Sequence, residues 1–155
     1  MDIDKRNRVI GLFLWVVIIG LGYVLFDSIW SPYQEVLEQR REQQEVRDRM
    51  ESLRDALIAY ERANEEFPED LDQLIEFLQT DSLMVARRDS LFADGFTNGF
   101  NLDQFTYSPR PPGNRFEYAR NDTLRPQIYL LTDPDSEDRI GSLERTTMLN
   151  ASNWD

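Results

Sequence analysis

Residues 9–26 read VIGLFLWVVIIGLGYVLF, and the rest of the chain is placed relative to them. The run holds 18 residues without a charge, and 13 of them are Val, Ile, Leu or Phe. As a helix it would be about 27 Å long at ~1.5 Å per residue, close to the ~30 Å hydrocarbon core of a bilayer. Burying those 13 side chains in lipid gains on the order of 4–8 kcal/mol, before the three glycines and Tyr23 subtract. A core helix of a soluble domain seldom has apolar surroundings on every side for about five turns. The sequence therefore predicts a membrane span.

The span reads as an uncleaved anchor. A secretory signal has a shorter apolar region, ~7–15 residues, with small residues at a cleavage site. Here the run passes into Asp27, Ser28, Ile29 and Trp30, with no A-x-A pattern. Trp30 and Tyr33 suit a membrane interface. Lys5, Arg6 and Arg8 precede the span, whereas the first basic residues after it are Arg40 and Arg41. The positive flank stays in the cytoplasm. The expected layout is a cytoplasmic tail at 1–8, an anchor at 9–30, a helical neck at 31–45 and an extracytoplasmic α+β domain at 46–155. In a bacterial cell this places the protein in the inner membrane with its C-terminal domain in the periplasm.

Composition narrows the function classes. The chain has no Cys and no His, which removes disulfides, thiol catalysis, zinc fingers and His-based triads. Formal charge is −12, and residues 27–155 carry −13 because the first eight residues carry +1. Phosphate backbones would be repelled, so nucleic acid is not a partner. The expected partners are the lipid bilayer and other membrane or envelope proteins, or a second copy met through the anchor.

Beyond the span, Ser31-Pro32-Tyr33-Gln34 has the form of a helix start, with a Ser cap and an early Pro. Residues 38–45 are all polar. An apolar stripe then appears at Val46, Met50, Leu53, Leu57 and Tyr60, spaced as one helix face. Phe67-Pro68-Glu69-Asp70 is read as the start of a second helix, with Leu71, Leu74, Ile75 and Leu78 on its inner face. Residues 81–102 carry Gly95, Gly99 and scattered aromatics, and are expected to be an irregular ordered loop. The last third reads β: Phe105 and Tyr107 against Phe116 and Tyr118 across the turn 109–114, then QIYLLT at 127–132. The expected core includes Leu53, Leu57, Tyr60, Leu71, Leu74, Leu78, Tyr118 and Leu130. The fold class is α+β: a transmembrane helix, a long extracytoplasmic helix, a second short helix and a small antiparallel sheet.

This order resembles the type IV pilin-like proteins, and most of all the major pseudopilin of type II secretion. The likeness rests on ALIAYERANEEFPEDLDQLIEFL, with Tyr60, Phe67, Pro68, Leu71 and Leu74 at matching positions, then YLLTDPDSEDRIG and Asn153-Trp154. It implies a filament or secretion-associated subunit and a calcium-binding acidic loop after the sheet. The processing site of that family, Gly-Phe with a Glu at the fifth mature position, does not occur in MDIDKRNRVIGLF. The passage RMESLRDALIAYERANEEFPEDLDQLIEFLQTDSL also resembles a group of single-pass envelope proteins from Bacteroidota-type bacteria, which carries no function.

Asp133, Asp135, Glu137 and Asp138 place four carboxylates in six residues. Oxygen ligands at alternate positions of a tight loop suit Ca²⁺; a solvated polar turn has the same composition. No other cofactor is expected. No GxSxG, P-loop or HExxH is present, and nothing selects a catalytic pair among 29 acids. The expectation is a non-enzymatic structural or interaction subunit, pseudopilin-like. The alternative is an accessory single-pass subunit of a larger membrane complex, such as a division or energy-converting assembly.

Overall fold

The computed structural model describes residues 3–92, 96 and 99–154, without the side chains of 3–7, 9, 29–32 and 35. The side chains of Lys5, Arg6 and Trp30, invoked above as flanks of the span, therefore lie outside the described residues, as does Gly95. The elements are α1 (Ile3–Asn64), α2 (Leu71–Thr80), α3 (Ser82–Leu91), β1 (Glu117–Asn121), β2 (Ile128–Thr132) and β3 (Arg139–Gly141). Two single 3₁₀ turns stand at Leu102–Gln104 and Thr146–Met148. The chain divides into two compact units, Met1–Arg41 and Glu42–Asp155. The helix start expected at Ser31-Pro32 is not a boundary, because the helical assignment of α1 includes both residues.

In the second unit the predicted stripe forms one side of the core. Val46, Met50, Leu53 and Leu57 are fully buried, and Tyr60 is buried beside them. Leu71, Leu74 and Leu78 of α2 belong to the same cluster. α2 starts later than expected, at Leu71, because Asp70 takes the cap: its Oδ1 accepts from the Gln73 amide at 2.8 Å. The Gln73 side chain accepts in turn from the Glu69 amide at 2.6 Å, a variant of the reciprocal capping box. Pro68 thus lies outside the helix.

Residues 81–102 are more regular than their sequence suggests. Asp81 closes α2 through its amide to the Phe77 carbonyl, then caps α3 by accepting from the Leu83 and Met84 amides at 3.0 and 2.9 Å. None of the α3 side chains is buried, so no apolar period announces this helix. The aromatics that follow form a cluster: Phe105 stands 5.5 Å from Phe92 and 5.2 Å from Phe100, and Phe96 stands 5.5 Å from Phe100.

The sheet is antiparallel with order β1-β2-β3. The hairpin expected between 105–107 and 116–118 shrinks to an isolated bridge, Tyr107 with Arg115, and a Phe116 amide bond to Thr106. The strand that follows pairs with β2 instead. In β2 Ile128, Tyr129 and Leu131 are buried, whereas Leu130, expected in the core, is only partly buried. Tyr118 is half-buried, its ring 6.1 Å from that of Tyr129. Tyr118 Oη donates to the Pro68 carbonyl and Arg120 Nη1 to the Phe67 carbonyl, which fastens the α1–α2 connection to β1.

Candidate functional site

Two regions bear the sequence-derived expectations, one in each unit. In the first unit, Ile10–Ser28 is the one stretch among the described residues long and apolar enough to cross a membrane. None of it is buried. Its large side chains run from Val17 at 38 % exposed to Tyr23 at 71 %. A water-facing surface of Phe13, Trp15, Ile18, Ile19 and Phe26 together would be far larger than the apolar patches soluble monomers tolerate.

In the second unit, the four acidic side chains of the loop after β2 go to different partners. Asp138 is buried, and its carboxylate is held side-on by Arg47 of α1, with Nε–Oδ2 at 2.9 Å and Nη2–Oδ1 at 3.0 Å. Asp133 is buried too. Its Oδ2 accepts from Ser136 Oγ at 2.7 Å and lies 3.7 Å from Arg110 Nη1, while its Oδ1 has no partner among the described residues. Asp135 accepts from Asn114 Nδ2 at 2.8 and 3.1 Å. Glu137 is exposed, and its carbonyl accepts from Asn153 Nδ2 at 2.7 Å. Among the described residues no three acidic, His or Cys side chains are gathered to hold a metal ion. A cation shared by the four would have to displace Arg47 from Asp138 and Asn114 from Asp135.

The loop is the meeting point of three remote segments. Residues 150–154 return along β3: the Gly141 amide donates to the Ala151 carbonyl, Asn153 exchanges bonds with Arg139, and Ile140 bridges Ser152. Gly141 sits at φ +85°, and a Cβ there would overlap the Tyr129 carbonyl, so only glycine fits. Trp154 lies under the Arg47 guanidinium at 5.1 Å, a cation–π contact on the same side chain that grips Asp138. Sequence reasoning missed Arg47, which is 91 positions from its carboxylate and carries no local signal.

Other charges fix the periphery. Arg115 holds Asp72 with an Nη2–Oδ1 distance of 2.5 Å, which keeps the Asp72 carboxyl below its usual range. Burial pushes the Tyr129 and Tyr118 phenols well above their ordinary value. Burial also lowers the Arg49 guanidinium, partly countered by Glu45. Arg49 stacks 4.1 Å over Phe96 and donates to the Tyr107 carbonyl at 2.9 Å, pinning the aromatic segment to α1.

Comparison with known proteins gives no match to a family model, a curated protein or a solved structure.

Proposed function

We propose that the chain is a single-pass membrane protein without catalytic activity, whose second unit binds other membrane or envelope proteins. The observation that carries this reading is the span Ile10–Ser28, apolar and wholly unburied. Lipid is the solvent that such a surface fits. The basic residues before it and their absence up to Arg40 favour a cytoplasmic N-terminus. Residues 27–155 then face the periplasm of a bacterial inner membrane. The lack of Cys and His supports the non-catalytic reading. So does the character of the shifted groups, which are buried phenols, a buried Arg and a peripheral Arg–Asp pair.

In its sharp form the protein is a pseudopilin-like filament or secretion-associated subunit, supported by the Tyr60–Leu74 passage and the small antiparallel sheet that follows. The second form, an accessory subunit of a membrane complex, is favoured by the missing processing site in MDIDKRNRVIGLF. Purification in mild detergent with mass spectrometry separates them. A filament subunit self-associates through the apolar helix, whereas an accessory subunit emerges at fixed stoichiometry with unrelated membrane proteins. Recovery of a lone monomer after cross-linking in cells would refute both. For orientation, a periplasm-dependent reporter fused after Asp155 should be active, and the same reporter before Met1 silent.

A further inference from the structure

We infer that α1 leaves the bilayer tilted, with the side that carries Tyr33, Val36, Leu37 and Arg40 lying on the lipid headgroups, a placement that rests on the membrane reading of Ile10–Ser28. α1 continues without a break past that span. Tyr33, Val36, Leu37 and Arg40 stand at i, i+3, i+4 and i+7, an arc of about 100° on one side of the helix. The other residues from 33 to 41 are Gln34, Glu35, Glu38, Gln39 and Arg41, all polar or charged. The arc is open: Tyr33 is 57 % exposed, Val36 44 % and Leu37 40 %. Phe26, seven residues before Tyr33 and exposed as well, lies on the same line. The arc therefore extends the apolar surface of the span on one side only.

A one-sided extension is what a tilted helix needs. A helix about 10–12 Å across that leans by ~40° keeps its lower side in hydrocarbon about 8–10 Å further along its axis than its upper side, or ~6 residues. Counted from Phe26, the end of the charge-free run, this reaches the turn of Tyr33. The headgroup layer adds ~5–8 Å of depth, or ~4–7 residues of leaning helix, which takes in Val36, Leu37 and Arg40. An upright helix would hold Leu37 about 13 Å past Ser28, beyond that layer.

Charge selects lipid over a second copy. Arg40 stands within the arc, whereas Asp27 and Glu38, both exposed, fall on the opposite side. A symmetric parallel pair joined through this arc would set its two Arg40 side chains against each other, and like charges in a contact are costly. Lipid phosphates accept the same side chain: an arginine lays its stem on apolar ground and holds its guanidinium at headgroup level. The acids, turned away, stay in water.

The chain has no Cys, so a single introduced one reports one place. The test puts the full chain in vesicles of phosphatidylcholine and phosphatidylglycerol, with one fluorophore on Tyr33→Cys, Gln34→Cys, Val36→Cys, Leu37→Cys, Glu38→Cys or Ile18→Cys. Lipids carrying a nitroxide and aqueous iodide serve as quenchers. Positions 36 and 37 should favour the lipid quencher over iodide at least about threefold more than 34 and 38 do. Arg40→Glu should cut that preference by about half, and Arg40→Lys should keep it. Equal quenching at all five neck positions overturns the inference, since the helix then has no lipid side. Protection of 36 and 37 from both quenchers overturns it too, because protein then covers the arc. An unchanged preference in Arg40→Glu sinks the headgroup contact and the assignment with it. Ile18→Cys separates this failure from that of the span. Lipid quenching there, with water at the arc, refutes the tilt alone, whereas iodide quenching at Ile18 refutes the membrane reading itself.

Discussion

Arg47→Met should destabilise the second unit by about 3 kcal/mol, because it strands a carboxylate rather than merely losing a bond. The Asp138 side chain is 8 % exposed and that of Arg47 25 %. Once the guanidinium is removed, the carboxylate has no other hydrogen-bond donor among the described residues. Removing one partner of a buried pair typically costs ~3–5 kcal/mol, and the quarter exposure of Arg47 places this pair at the lower end. Asp138→Asn keeps the shape and one acceptor, so it should cost only about 1–2 kcal/mol. The double variant removes the stranded charge and should be more stable than Arg47→Met alone by ~1 kcal/mol or more, a departure from additivity. Urea unfolding of the chain in mild detergent, followed by circular dichroism and by exchange of the β3 amides, measures all three. An Arg47→Met effect below ~0.5 kcal/mol, or a larger effect of Asp138→Asn than of Arg47→Met, would refute the reasoning.

Leu57→Ala, at a fully buried stripe position, should cost ~2–5 kcal/mol, whereas Leu130→Ala, at a partly exposed position of β2, should cost about 1 kcal/mol or less; equal effects would mean that Leu130 packs as tightly as the stripe. Alkali should unfold the domain. The Tyr129 phenol is raised above its unfolded value of 10.0, so the stability it lends is complete below that pH. This stability falls by ~1.4 kcal/mol per pH unit as pH climbs toward the folded-state value. Phenolate absorbance from Tyr129 should then appear only together with unfolding. Millimolar calcium and chelator should give the same melting temperature, since Arg47 and Asn114 occupy the carboxylates of Asp138 and Asp135; a rise of several degrees with calcium alone would show that those contacts yield to a cation. The fragment 42–155 should fold without the first unit, because the whole buried cluster from Val46 to Ile140 lies within it.

The helical half of the fold was legible because its signals are local. The stripe from Val46 to Tyr60 and the α2 face at Leu71, Leu74 and Leu78 follow a single period, and both are buried where expected. α3 was not legible, since it buries no side chain fully and meets the core only through partly buried Met84, with the Asp81 cap and the Arg88–Leu78 bond fixing its ends. In β2 the run Ile-Tyr-Leu-Leu is apolar at every position, so its composition cannot tell which residues face inward. β3 is three residues at the tail of an acidic loop, defined by pairing with β2 and residues 150–154 rather than by its own pattern. The partners of the acidic loop were beyond reach for the same reason. Arg47, Arg110 and Asn114 meet it only through tertiary folding.

The placement of the stripe also sets a timetable for synthesis. Val46–Tyr60 is made early, yet the core residues at and beyond the entry to the sheet begin at Phe116, more than fifty positions later. At ~5–20 residues per second the stripe waits roughly 3–11 s for that cover, with α2 and the aromatics Phe92 and Phe105 arriving sooner. During that interval a row of Val, Met and Leu side chains emerges on a growing chain with nothing from the sheet to shield it. Until β2 and β3 have been delivered, the nascent chain carries this stripe only partly covered.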